Sequence, residues 1–338
     1  MKKRLSTFKI DSFKAFINRQ EGAIAVIVAA FALALFGFAA LVVDLGASYN
    51  EASKLQNALD SATLAAVQDL PIDEDSDAWE NKIVKVGKEY ANYNNLVLKN
   101  SDFEKVINDN KVIGVKVNGR KVVNYTFARV LGINSGDINR SATAKLKTAK
   151  GVSNLIPLAI PKDTMDDIKD GIETFYLKGG PHDKEFFGNI GGWRGMWHPN
   201  DENWDKEKFV EYYKNGYPKE IYIGYQVIEK NGVDTAATDS AYYTRMTGHE
   251  HCSLSDMEGC PSQPKMCPRI VTAPIVKTEK GNLIVCGFAS FFLEPAVMED
   301  INKIKEIKAT YIEAIVLPGS TYGEEAMDYG VYVPKLTD

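Results

Sequence analysis

The sequence predicts an α+β protein. An N-terminal transmembrane helix continues into a juxtamembrane helix and carries a small α+β unit and a β-rich outer domain. Three observations lead there. Residues 22–46 read GAIAVIVAAFALALFGFAALVVDLG, with no charge or strong polar group in the 21 residues after Gly22. Beyond Asp44, apolar residues recur at spacings of three or four as far as Leu70. Further on, short β-branched and aromatic runs alternate with Gly, Pro and Asn turn residues.

As a helix, Gly22 to Val43 spans ~33 Å at ~1.5 Å per residue, enough for a bilayer core of ~30 Å. The apolar region of a cleaved signal is usually ~7–15 residues, and a soluble core helix seldom stays apolar all round for so long, so the run reads as a retained span. Lys2, Lys3, Arg4, Lys9, Lys14 and Arg19 precede it, and Lys54 alone falls in the twenty residues after it. The positive-inside rule then makes residues 1–20 a cytoplasmic tail, 21–44 the single span and the rest of the chain extracytoplasmic. A carboxylate at the bilayer centre costs ~3 kcal/mol. Asp44 is therefore expected at the outer interface, hydrated, as a marker of where the hydrocarbon ends.

The register runs on through residues 45–70. Leu45, Tyr49, Ala52, Leu55, Leu59, Ala62, Ala66 and Leu70 share one helical face, and Pro71 ends the helix. Such a face packs either on the protein's own outer domain or on a partner helix. A partner-docking face is the sharper of the two expectations.

These residues carry a family resemblance. A basic tail, then EGAIAVIVAAFALAL, then LVVDLGASYNEASKLQNALDSATLAA, resembles the N-terminal segment of TadG-like proteins of Flp (tight adherence) pilus assembly. YTFARVLGINSGDINRSATAKL (125–146) is similar to a second TadE/TadG-like stretch. The resemblance implies a non-enzymatic, membrane-anchored component of Flp-type pilus assembly or a related secretion system. The bilayer and other Flp assembly membrane proteins would be its partners. A cell-surface adhesin or minor pilin-like subunit is the alternative. Pilin-type subunits carry a glutamate five residues after the cleaved glycine, where this chain has Ile27. Longer TadG-like chains hold a von Willebrand A-type domain with a D-x-S-x-S metal motif, which this sequence lacks. The resemblance is thus to a short form.

The outer region divides by its prolines into residues 71–150 and 151–338. In the first, Asp77 and Glu80 suit a capping box opening a helix that runs to about Asn94, with Trp79, Ile83, Val86 and Tyr90 inward. Asn118-Gly119 between VIGVKV and RKVVNYT suits a type I′ hairpin turn. FARVLGI reads as a short helix ending near Gly132, and INRSATAKL as a strand. In the second, strands are expected at 220–228, 268–278, 282–295 and 309–317.

A net charge of −5 argues against a nucleic-acid partner. In an extracytoplasmic setting Cys252, Cys260, Cys267 and Cys286 favour disulfides, with Cys252–Cys260 and Cys267–Cys286 preferred. HEHC (249–252) also reads as part of a His/Cys zinc cluster, but the C-x7-C-x6-C spacing fits no common zinc pattern. No metal or cofactor is expected. Trp193, Trp197 and Trp204 lie in a glycine-rich loop that either plugs the β-domain or forms a surface-binding loop. A hydrolase would need a pair such as Cys252 with His198, and the common hydrolase motifs G-x-S-x-G and H-E-x-x-H are missing.

Overall fold

A computed structural model describes residues 20–170, 174–179, 195–230, 235–254, 260, 267–300, 303–317, 319–323 and 326–337. The apolar run and the amphipathic segment after it are one element. Helix α1 runs Gln20–Ala66 through Asp44 without a break, and a 3-10 turn at Val67–Asp69 closes it before Pro71. Ala and Leu dominate the sequence, and no Pro interrupts the i to i−4 ladder.

The next helix differs from expectation. It opens with a π-helical turn at Trp79–Val84 and continues as α2, Lys85–Tyr93. The Asp77/Glu80 capping box does not form. Instead the Ser76 hydroxyl accepts from the Ala78 amide at 3.2 Å. The wide turn rotates the apolar stripe, so Ile83, Val84, Gly87 and Ala91 face inward and Tyr90 is exposed. Gly87 is required there, since a Cβ would lie 2.5 Å from the Phe103 ring.

The principal strands are β1 (Phe103–Asn108), β2 (Lys111–Asn124), β3 (Ser135–Val152), β4 (Thr174–Lys178), β5 (Gln226–Glu229), β6 (Ile270–Glu279), β7 (Asn282–Leu293), β8 (Lys303–Ile312) and β9 (Val331–Thr337). In the first sheet β1, β2, β3 and β9 are antiparallel neighbours in that order. Asn118-Gly119 is not a turn. It lies within β2, paired to Ser141 and Arg140 of β3. The turn is Asp109-Asn110, where both residues have positive φ, at 48° and 61°. Gly119 serves packing instead: a Cβ there would sit 2.9–3.1 Å from the Leu55 and Leu59 methyls, so the glycine lets the strand cross α1 closely.

In the second sheet β6, β7, β8 and β4 follow in order, all antiparallel, and β5 pairs with the start of β7. The strand expected at 220–228 is split into Ile221–Tyr222 and β5 around Gly224 at φ +88°. Residues 315–316, at the end of the strand expected at 309–317, pair in parallel with β9. Three further helices, α3 (Lys162–Lys169), α4 (Lys206–Asn215) and α5 (Thr235–Met246), and several short strands lie among the described elements.

Two large apolar cores result among the described residues. One gathers Leu55, Leu59, Ala62 and Leu70 of the N-terminal segment with Trp79, Ile83, Val115, Val117 and Ala144. The other gathers β6, β7 and β8 with Trp197, Trp204, Phe209 and Tyr213. Strand β3 feeds both, Ala142, Ala144 and Leu146 into the first and Ala149 and Val152 into the second, and so crosses the 150/151 division expected from sequence.

Candidate functional site

From Ile24 to Val43 every side chain is exposed except Ala32 and Ala40, which are half-buried. Phe36 is 75% and Leu33 74% exposed. A cylinder of that length, apolar on all sides and largely uncovered by the other described residues, is long and apolar enough to cross a bilayer.

Asp44 sits where this cylinder meets the folded region, and it is not the hydrated marker expected. It is only 5% exposed. One carboxylate oxygen accepts from the Thr126 amide at 2.8 Å, and the other accepts from Phe127 at 2.8 Å and Ala128 at 2.6 Å. These amides open the 3-10 turn Ala128–Leu131, whose first donors have no partner within the turn. An aspartate from a distant helix supplies the cap, and its charge is buried because three donors compensate it. Gly132, at φ +81°, closes the turn as the sequence suggested. Clasped in this way, the turn presents Phe127 and Val130 beside Ala34, Gly37, Phe38 and Leu41 of α1, with Val130 88% exposed.

Replacing Asp44 by Ala is expected to free this turn while leaving both cores intact. Hydrogen exchange at the amides of residues 126–128 should accelerate roughly tenfold or more, with exchange in β6 and β7 unchanged. Equal protection in the variant would remove the clasp from the account.

The juxtamembrane face divides in two. Ala52, Leu55, Leu59, Ala62, Ala66 and Leu70 are at most 8% exposed, covered by β2, β3 and α2 of the same chain. The docking face expected over 45–66 is therefore, from Ala52 onward, the protein's own core. Leu45 and Tyr49 remain 71% and 76% exposed. Glu51 reinforces the internal packing, its carboxylate paired to Lys121 of β2 at 2.5 Å and to Lys54 at 2.8 Å. Hydrogen bonds from Lys121 and Lys54 hold the Glu51 carboxyl down to about 2. The tie is complete above the ordinary carboxylate range and is lost as pH falls toward 2.

Trp197 and Trp204 are fully buried, 5.4 Å apart between ring centroids. Their indole nitrogens donate to the Ile156 carbonyl at 3.2 Å and to Glu202 at 3.0 Å. They plug the β-rich core and do not form a surface-binding loop. Trp193 lies outside the described residues. His198 donates from Nδ1 to the Pro199 and Glu202 carbonyls, so it is a loop-fastening residue.

The disulfides expected from cysteine count do not form. None of the four cysteines is in a disulfide, and they lie beyond disulfide distance. Cys286 sits on β7 in the main core, where it donates to the Ile275 carbonyl at 3.5 Å. Cys252, Cys260 and Cys267 belong to a separate cluster and converge on His249 Nδ1 at 3.6, 3.6 and 3.9 Å. Burial raises the Cys252 thiol and pushes Cys267 up to about 12 and Cys286 up to about 11. The imidazole beside Cys252 is thus that of His249, not the His198 that a hydrolase reading would need. Sequence spacing hid this convergence because the C-x7-C-x6-C separations follow no common ligand pattern. The HEHC run was its one visible trace.

Residues 22–69 match the model of a family described as putative Flp pilus-assembly TadE/G-like. The matched segment covers the apolar run, Asp44 and the buried face up to the residue before Leu70. Searches of curated proteins and of solved structures return no match.

Proposed function

We propose that this chain is a single-pass membrane protein, with its N-terminus cytoplasmic, that serves the assembly or anchoring of an Flp-type pilus without catalysing a reaction. The observation that carries this reading is helix α1. Its first half is an exposed apolar rod, and its second half is a core element of the folded domain. A domain built around its own membrane helix is held at a fixed height and orientation, which suits a platform for other assembly proteins. The lysines and arginines before the run support a cytoplasmic tail by the positive-inside rule, and the TadE/G-like match over residues 22–69 supports the pilus context. Its partners are then the bilayer and other membrane proteins of the assembly system, which meet Leu45, Tyr49 and the unclad span. On this reading Phe127 and Val130, which lie beside α1, enter the outer leaflet with it.

Two measurements test this. Protease added to intact spheroplasts should degrade the region after Asp44 and spare an N-terminal tag. Release of a mature protein beginning near Gly46 would overturn the anchor. Deletion of the gene should abolish piliation, and restoration by the intact chain but not by one lacking residues 1–43 would link anchoring to assembly.

A further inference from the structure

We propose that His249, Cys252, Cys260 and Cys267 form a closed, structural zinc site that ties these four residues together beside the β-rich core. The four ligand atoms lie within 4.8 Å of one another. Bonds of about 2.3 Å to sulfur and about 2.05 Å to nitrogen, in a tetrahedron, place a histidine nitrogen about 3.6 Å from each sulfur. The separations found from Nδ1, 3.6, 3.6 and 3.9 Å, have that size. One imidazole nitrogen nearly equidistant from three thiols is not a disulfide arrangement, since pairing any two would strand the third and draw both sulfurs to about 2.05 Å.

The surroundings fit a metal as well. Phe292, Ile270 and Ile312 floor the cluster with apolar surface, and the three cysteines are buried. On binding, each thiol loses its proton to solvent, so three thiolates and a neutral imidazole leave the divalent ion with one net negative charge. Arg269 is placed to offset it. Its guanidinium is 2% exposed, stacks 4.1 Å over Phe292 and donates to the Cys252 carbonyl at 2.6 Å and the His249 carbonyl at 3.2 Å. It also donates to the Leu293 carbonyl at 2.9 Å, which pins the ligand loop to β7. These are the carbonyl and charge contacts that orient metal ligands from outside. All four coordination positions come from the protein, which leaves none for substrate and makes the role structural. Among the described residues between Met246 and Ile270 there is no helix or strand, so the ion would supply the cross-link that regular hydrogen bonding does not.

The test uses the full chain, purified in detergent without chelator. About one zinc per chain by elemental mass spectrometry, with Cys252, Cys260 and Cys267 protected from alkylation until a chelator is added, is the expected result. Cobalt loaded into chelator-stripped protein should show the visible bands of a tetrahedral ion and thiolate-to-cobalt charge transfer. The Cys260→Ser chain should lose most of its zinc, and Cys286→Ser should keep it. The cobalt spectrum of the unaltered chain decides the matter even if Cys260→Ser misfolds. Protein without zinc and without a tetrahedral cobalt spectrum, or an unreduced peptide pair linking any two of Cys252, Cys260 and Cys267, overturns the site.

Discussion

A chain begun at Pro71 is expected not to fold its membrane-proximal unit, whereas one begun at Asp44, just past the apolar run, folds and stays cooperative. The reason is that the juxtamembrane half of α1 and the turn after it are not a separate module. Leu55, Leu59, Val67 and Leu70 are each at most 4% exposed, with Ala62 and Ala66 fully buried between them. Their partners are Trp79 and Ile83 on the π-turn, Val112, Val115 and Val117 on β2, and Ala144 and Leu146 on β3. Burying each of the four large side chains contributes about 1.5–3 kcal/mol, so their removal costs roughly 6–12 kcal/mol. That is the scale of a whole domain's stability, about 5–15 kcal/mol. Leu59→Asp in the intact chain attacks the same core and adds a buried charge without a partner. It should render residues 71–150 sensitive to protease even in the membrane. Circular dichroism and urea titration of the two truncated chains check the first expectation. An unchanged cooperative transition in the chain begun at Pro71 would make the helix face a docking surface rather than part of the core. If the expectation holds, loss of piliation by a face mutant reports misfolding, and mutants for partner mapping belong at Leu45 and Tyr49.

What could be read from the sequence was whatever depends on local periodicity. The helical register through Asp44, the end at Pro71, the short turn before Gly132 and the strands at 268–278 and 282–295 all rest on neighbours in the chain. What escaped depends on distant residues. Gly119 resembles a hairpin glycine, and only the passage of α1 beneath β2 reveals that its missing Cβ serves Leu55 and Leu59. Tyr90 looks inward on a regular helix and faces out because the π-turn inserts a residue ahead of it. Asp44 looks like a boundary charge, and its partners are amides more than eighty residues away in sequence. The cysteines invited a count for disulfides, while the group that organises three of them is a histidine.

Lys178→Ala should be among the most damaging single substitutions in the β-rich region. Lys178 ends β4 and Asp239 lies on α5, both with side chains 5% exposed, and the ammonium contacts the two carboxylate oxygens at 2.5 and 2.7 Å. Asp239 also accepts from the Ile304 amide at 3.4 Å, at the start of β8. Truncating the lysine leaves a carboxylate out of water without its counter-charge, a loss of about 3–5 kcal/mol. A double replacement, Lys178→Met with Asp239→Leu, removes both desolvation costs and should recover most of that loss or exceed it, because apolar pairs of similar volume often replace buried ion pairs without penalty. Urea midpoints of the three chains measure the difference, and equal midpoints for Lys178→Ala and the parent would show that the pair carries no net stability. The consequence reaches the metal-ligand cluster. Helix α5 ends at Met246, whose carbonyl accepts from the His249 amide at 2.8 Å, and Arg245 at the same end donates to the Tyr213 and Pro268 carbonyls. Loosening α5 at Asp239 therefore moves the point from which His249 is aimed. The single variant should lose stability and protection of the three clustered thiols together, while the double variant keeps both.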